Sequence, residues 1–415
     1  MDRTILHCDM NSFYASVELL AHPELAGVPV AVCGDPKSRH GIILAKNEEA
    51  KKYKVQTAET IWQAKRKCPD LVLLPAHRSK YEEYCRIING IYLRYTDLVE
   101  PFSIDESWLD VTGSLGKFGL SGKEMADEIR ETVKAETGLR LSAGVSFNKI
   151  FAKMGSDYKK PDATTVITRD NFRELLWPLP AGDLIFVGKS TAAKLESLNI
   201  RTIGGIAQAD PALLRSVFGK HGEEMYRYAN GLDDAPVSAY DSRREHKSVG
   251  CGITFSRNLQ GRDDVRTAVV TLGDRVSERL RRKGLWASGV KVDIRDPNFR
   301  SISRQMQLES ATNSSAEIAA AAMDLIDRNW RYTDPIRLIT VTGINISEGL
   351  PEEQLSLFAP AQEEEKKKNE AVDAALDSIR GKFGKYAIMY GGTLGNDLGI
   401  SYQEKEEEEI EYEER

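Results

Sequence analysis

Leu98–Thr112 reads LVEPFSIDESWLDVT. Two strand-like runs flank Ile104-Asp105-Glu106-Ser107, which predicts a tight hairpin whose turn carries two adjacent acids. A turn is needed there, because consecutive strand residues point to opposite faces. Upstream, Arg3–Asp9 predicts a buried strand that ends on a third acid, and Ser12–Leu20 a helix. Arg78–Tyr95 has Tyr81, Tyr84, Cys85, Ile88, Ile91, Tyr92 and Tyr95 at helical spacing. Downstream, a helix (Gly122–Thr137), a strand (Arg140–Phe147), a helix (Asn148–Tyr158) and a strand (Ala163–Ile167) are expected. The order strand, helix, strand, strand, helix, strand describes an α+β split βαβ sheet with helices on one face.

Glu18–His77 reads as an insertion in that sheet. It holds short strands at Val28–Cys33, Gly41–Ala45 and Leu71–Pro75, and helices at Asn47–Tyr53 and Thr60–Lys67. Asn171–Gly231 reads as all helical, with short helices around glycine-bearing turns. Ser248–Ile346 repeats a βαββαβ pattern, and its first helix has Val265, Ala268, Val269, Leu272, Val276 and Leu280 on one face. After Ile346 the pattern fades. QEEEKKKNEA predicts a solvated helix, and EKEEEEIEYEER a disordered end.

The chain has 415 residues and a net charge of −6. Ile346–Arg415 holds 18 acids and 8 bases, a net of −10, so residues 1–345 carry −6 + 10 = +4. A basic body beside an acidic end suits a polyanion-binding protein. Cys8, Cys33, Cys68, Cys85 and Cys251 are scattered with no CxxC pair, which argues against zinc or a disulfide framework and fits a reducing cytoplasm. No stretch approaches the ~20 apolar residues of a membrane helix.

Asp9, Asp105 and Glu106 are the residues from which a two-metal phosphoryl-transfer site can be built. Such a site needs two or three carboxylates at adjacent strand ends, because magnesium takes oxygen ligands from a few carboxylates and the substrate phosphates. On the three acids alone, ordinary turn residues are the better reading.

The surrounding sequence decides between them. CDMNSFYASVE, FSIDESWLDVT and LSAGVSFNKIFAKMGSDYKKPDATTVI resemble the signature blocks of Y-family (translesion) DNA polymerases, best the bacterial polymerase IV, or DinB-type, branch. The likeness runs from about Thr4 to Phe358 with order and spacing preserved. It implies a right hand: ferredoxin-like palm (1–18 and 78–168), small fingers (19–77), helical thumb with helix-hairpin-helix turns (169–235), linker (236–247) and a βαββαβ little finger (248–346). An acidic tail (347–415) follows.

The resemblance implies a DNA-directed DNA polymerase, error-prone and without proofreading. Two Mg²⁺, for which Mn²⁺ can substitute, would be held by Asp9, Asp105, Glu106 and the Met10 main-chain carbonyl. Tyr14 falls at the steric gate that excludes the ribose 2′-hydroxyl, and Phe13 backs it. Lys160 matches a triphosphate-binding lysine, and Lys51 sits where the fingers place an arginine toward the phosphates. Gln354-Leu355-Ser356-Leu357-Phe358 resembles a sliding-clamp-binding peptide. The implied partners are primer–template DNA, deoxynucleoside triphosphates and the clamp, with no membrane, for a monomer working in the bacterial cytoplasm at the nucleoid.

Departures from the family pattern are informative. Asn11 stands where many members have a second acid, and no metal is assigned to it. Ala45–Lys51 reads AKNEEAK, so Glu48 replaces the usual tyrosine, a polymerase V-like feature of the fingers. Ile42 and Leu44 replace small residues in the roof over the nascent base pair. In the thumb, Gly188 is kept but Phe186 stands at the earlier glycine position. Arg279, Arg281, Arg282, Lys283, Arg300 and Arg304, with Arg243, Arg244 and Lys247, are candidates for phosphate contact.

Two other functions compete. A nucleotide cyclase also uses such a palm, but has no use for thumb, basic domain or clamp peptide. A catalytically silent DNA-binding recruitment factor would not need all three carboxylates.

Overall fold

The computed structural model describes residues 2–35, 41–242, 245–349, 360–384, 387–393 and 396–400, with side chains omitted for 360–367. The chain divides into two compact units, Met1–Lys37 with Gly41–Arg243, and Ser38–His40 with Arg244–Arg415.

In the first unit a five-stranded sheet has the order β5-β6-β1-β7-β8. Its strands are β1 (Ile5–Met10), β5 (Val99–Pro101), β6 (Glu106–Asp110), β7 (Leu141–Ser146) and β8 (Thr164–Ile167). β1 is antiparallel to β6 and β7, and β8 runs parallel to β7. All six residues of β1 are buried, so both faces of the sheet are covered. Leu6, Cys8 and Met10 pack with Ile88 and Ile91 of the helix Arg78–Tyr92 and with Met125 and Ile129 of the helix Gly122–Thr137. Ile5 packs with Trp108 and with Ala152 of the helix Lys149–Tyr158. The two helices of the split βαβ order thus share one face, as expected, and the additional helix Lys149–Tyr158 lies across the other. A tight approach permits this. A Cβ on Gly144 of β7 would stand 1.9 Å from the Ala152 carbonyl oxygen, so only glycine lets the helix backbone come this close.

The hairpin turn spans Phe102–Asp105, earlier than the expected Ile104–Ser107. Glu106 already belongs to β6, because its carbonyl accepts the Phe102 and Ser103 amides at 2.8 and 3.2 Å.

The insertion forms a three-stranded sheet, β3-β2-β4, from β2 (Val30–Cys33), β3 (Ile43–Lys46) and β4 (Val72–Pro75). The helix Glu48–Lys52 starts at Asn47, whose Oδ1 accepts the Ala50 and Val30 amides, each at 3.0 Å. The helices from Phe172 to Ala229 share one apolar core with Phe147, Phe151 and Met154. Phe186, where glycine was expected, has φ +69°, so a bulky side chain occupies backbone that favours glycine.

The second unit has the expected βαββαβ order: β9 (Ser248–Leu259), helix Gly261–Lys283, β10 (Leu285–Arg295), β11 (Ser301–Thr312), helix Ser315–Asn329 and β12 (Ile336–Glu348). The sheet order is β11-β10-β12-β9, and all six apolar residues named for its first helix are buried.

Pro360–Phe383 is helical, and the expected QEEEKKKNEA helix opens it; EKEEEEIEYEER lies outside the described residues. The docking that follows this opening was not legible in the sequence. Arg380 grips Asp274 at 2.8 and 3.1 Å, and Arg281 holds Asp377 at 2.6 and 2.9 Å. Asp373 accepts the Ser315 amide at 3.0 Å. Beyond it, Leu398 and Ile400 enter the apolar core of this unit. A charge-rich segment hides such docking, because its buried contacts are polar. Two candidate phosphate contacts fall with this finding: Arg281 serves the tail, and Arg279 is buried and donates to the Gly250 carbonyl at 2.8 Å. Arg300, Arg304 and Lys247 are exposed. Arg243 and Arg244 lie outside the described residues.

Candidate active site

The alternation of β1 sends Asp9 to the same face as His7 and Ile5, toward the helix Lys149–Tyr158. β6 pairs with β1 so that Glu106 stands directly opposite Asp9. Asp105 is the last turn residue, and its carbonyl accepts the Met10 amide at 3.0 Å, tying the turn to the end of β1. Asp9 thus meets the adjacent, chain-distant pair Asp105–Glu106 at one end of the sheet.

All of them line a single cavity of about 440 Å³, with Met10, Phe13, Tyr14, Lys51 and Lys160. Every residue assigned from the sequence to metal or nucleotide is therefore brought to one place. Gln354, Leu355, Leu357 and Phe358 lie outside the described residues. Asn11 is turned into the fold: its Oδ1 accepts the Asp162 amide at 2.8 Å and its Nδ2 donates to Ser142 Oγ at 3.0 Å.

The cavity also holds residues the sequence reading missed. Lys153 Nζ lies 2.8 Å from Asp9 Oδ2, 3.0 Å from Glu106 Oε2 and 3.2 Å from Asp157 Oδ2. Lys160 Nζ lies 2.8 Å from Asp9 Oδ2 and 2.8 Å from Asp157 Oδ1. Lys153, Asp157 and Lys160 fall at i, i+4 and i+7, a spacing readable from KMGSDYKK. Their targets on β1 and β6 were not readable from it. His7 is fully buried; its Nδ1 pairs with Ser156 Oγ at 2.8 Å and its Nε2 stands 3.4 Å from Glu106 Oε2.

The carboxylates differ electrostatically. Burial raises Asp105 to about 6, and the charges of Asp9 and Glu106 add to this against the 2.6 Å hydrogen bond from Ser103 Oγ. Burial also pushes Glu106 upward, but His7 and Lys153 outweigh it and hold it at about 2. Lys153 is raised, since Asp9, Glu106 and Asp157 overcome its desolvation.

This donor set fits a divalent cation. Ligand atoms of His7, Asp9 and Glu106 lie within 4.8 Å of one another, and an ammonium already sits between Asp9 and Glu106. The Asp105 carboxylate stands outside that trio, turned to Ser103.

The nucleotide side is equally ordered. Tyr14 stacks on Tyr81 with centroids 4.0 Å apart. Lys51 pairs with Glu48 at 2.5 Å, and Glu48 accepts from Ser12 Oγ at 3.2 Å. Lys46, also unassigned from the sequence, lines the cavity and donates to Thr57 at 2.9 Å.

A sheet-borne acid cluster under a small fingers insertion, with a helical domain following, is the plan of a nucleic-acid polymerase. Comparisons define which one. The impB/mucB/samB family matches residues 8–157, its C-terminal domain matches 246–357, and the thumb domain described as DNA polymerase-iota matches 182–233. A DNA polymerase IV of Acetivibrio thermocellus is 44% identical over 97% of this chain and 100% of that protein. DNA polymerase IV 1 of Bacillus subtilis is 38% identical over 94% of this chain and 93% of its own. A solved Y-family DNA polymerase chimera has the same fold, with a TM-score of 0.73 at 23% identity over 83% of this chain and 99% of its own.

The chain belongs to the impB/mucB/samB family, the Y-family DNA polymerases of the polymerase IV (DinB) type. It is a DNA-directed DNA polymerase of the translesion kind, a reading preferred to a cyclase or a silent recruitment factor. Polymerases of this family depend on divalent metal, and the fold serves template–primer DNA. No described helix is long and apolar enough to cross a membrane.

Proposed function

We propose that deoxynucleotides are added to a primer 3′ end in the cavity floored by Asp9, Asp105 and Glu106. The observation that carries this reading is the register that sets Glu106 opposite Asp9, with Asp105 in the adjoining turn. These three, with the Met10 carbonyl, would hold two Mg²⁺, or Mn²⁺ in their place. When bound, the ions neutralise charge developing on the transferred phosphoryl group and its attacking and leaving oxygens.

The protein's own residues do the rest. Lys160 and Lys51 offer cations to the triphosphate, and Lys153 balances charge between Asp9 and Glu106. Phe13, nearly buried, supports Tyr14, whose ring excludes a ribose 2′-hydroxyl. Gln354–Phe358 binds the sliding clamp. Low fidelity without proofreading, in a monomer, completes the proposal. Purified protein with one primer–template and deoxynucleotides tests it directly. Mg²⁺ should permit extension and chelation by EDTA should stop it; extension that persists in EDTA would overturn the metal assignment.

A further inference from the structure

Of the five tryptophans, four are buried or half-buried, and Trp62 is 65% exposed. It projects from the fingers helix Ile61–Lys67. The Arg66 guanidinium lies over its ring, 4.8 Å from the centroid. Lys65 is exposed and makes no ion pair among the described residues. An open indole beside two cations matches what single-stranded nucleic acid requires: a π-face for a base and positive charge for the backbone.

Its place relative to the cavity identifies which strand. Residues 57–60 run antiparallel to β3. Thr57 meets Lys46, the Ala58 amide donates to the Ile43 carbonyl at 2.8 Å, and Ile42 bridges Thr60. Lys46 and Lys51 thus mark the cationic, triphosphate end of β3. Ile42, Thr60 and the helix bearing Trp62 mark the opposite end. With a triphosphate at the lysine end, a template base paired with the incoming nucleotide would lie between the two ends, and the next unpaired bases would leave at the Ile42–Thr60 end.

We propose that Trp62 is a stacking platform for the unpaired template strand ahead of the primer end, with Arg66 and Lys65 meeting its phosphates. The proposal rests on the polymerase reading and on placing the triphosphate at the lysine end of the cavity. A second copy of this chain or a protein partner fits less well, because the patch is one aromatic ring among cations rather than a broad apolar face.

The test uses the full chain and two primer–templates of identical length. One has a template overhang of about ten nucleotides; in the other, abasic sites replace the overhang bases beyond the templating position. Wild type should bind the base-bearing overhang more tightly. Trp62→Ala should lose about tenfold on it and nothing on the abasic one, while Trp62→Phe keeps most of the preference. Extension across a one-nucleotide overhang should be unchanged in Trp62→Ala, which also shows that the variant folds. An undiminished base preference in Trp62→Ala, equal losses on both substrates, or no preference in wild type would each overturn the proposal. Failure of wild type to extend even the one-nucleotide overhang would instead overturn the polymerase reading.

Discussion

Tyr14 lies face to face with Tyr81, ring centroids 4.0 Å apart and planes 10° apart. Tyr81 is held in turn: its hydroxyl donates to Glu18 at 2.6 Å, and Glu18, nearly fully buried, also pairs with His77 at 3.0 Å. Burial and that hydrogen bond keep the Tyr81 hydroxyl protonated. The Tyr14 ring, the proposed gate, is therefore braced from behind by a ring with a fixed anchor. Tyr14→Ala should let ribonucleotides in far more easily relative to deoxynucleotides. Tyr81→Ala should raise ribonucleotide entry less, and Tyr81→Phe, which keeps the ring, less again. Steady-state incorporation ratios for the three variants check this order; an unchanged ratio in Tyr14→Ala places the gate elsewhere.

Metal affinity should fall as pH drops. Asp105 is raised to about 6 and Glu106 lowered to about 2, so Asp105 is the acid that must lose a proton before binding. The sign is fixed by this: ionising Asp105 without metal costs stability as pH rises from the ordinary carboxylate range through about 6, and metal repays that cost above it. Mn²⁺ affinity should weaken about tenfold per pH unit below 6, one proton being displaced. Titration at several pH values measures it. Affinity that is flat from pH 7 to pH 5 would show that Asp105 is not a ligand.

The pattern of successes follows from the physics. Strands and helices with a single apolar face were legible, as was the short hairpin that carries Asp105 and Glu106. Lys153 was not, because its meaning depends on β1 and β6 passing under the helix that carries it. The face taken by the additional helix Lys149–Tyr158 was not legible either, because a βαβ pattern does not say which side a further helix takes. The close approach at Gly144 decides that, and a glycine in a sequence looks the same whether or not a backbone presses on it.

The docked tail should be structural. Arg380 and Asp274 are both nearly fully buried and paired in bidentate fashion, so removing the guanidinium leaves a buried carboxylate without that cation. Arg380→Ala should cost about 3–5 kcal/mol, seen in calorimetry of the full chain as a lowered transition. A melting profile identical to wild type would show that the tail contributes nothing to the fold.

Tethering should come from Gln354–Phe358. Leu357 and Phe358 offer adjacent apolar anchors, and Gln354 amide hydrogen bonds. Clamp binding raises the local concentration of polymerase at the primer end. Leu357→Ala with Phe358→Ala should leave single-nucleotide incorporation intact and abolish stimulation by the cognate clamp. Full stimulation of the double variant would assign the peptide another role.

If three carboxylates brought together by one strand register carry nucleotide addition, neutralising either acid of the hairpin should abolish it. Asp105→Asn and Glu106→Gln keep side-chain size and remove charge. The decisive measurement is single-turnover incorporation of one deoxynucleotide by each variant, beside its affinity for primer–template. Incorporation should fall by several orders of magnitude with DNA binding retained. Near-wild-type incorporation by either variant would contradict it.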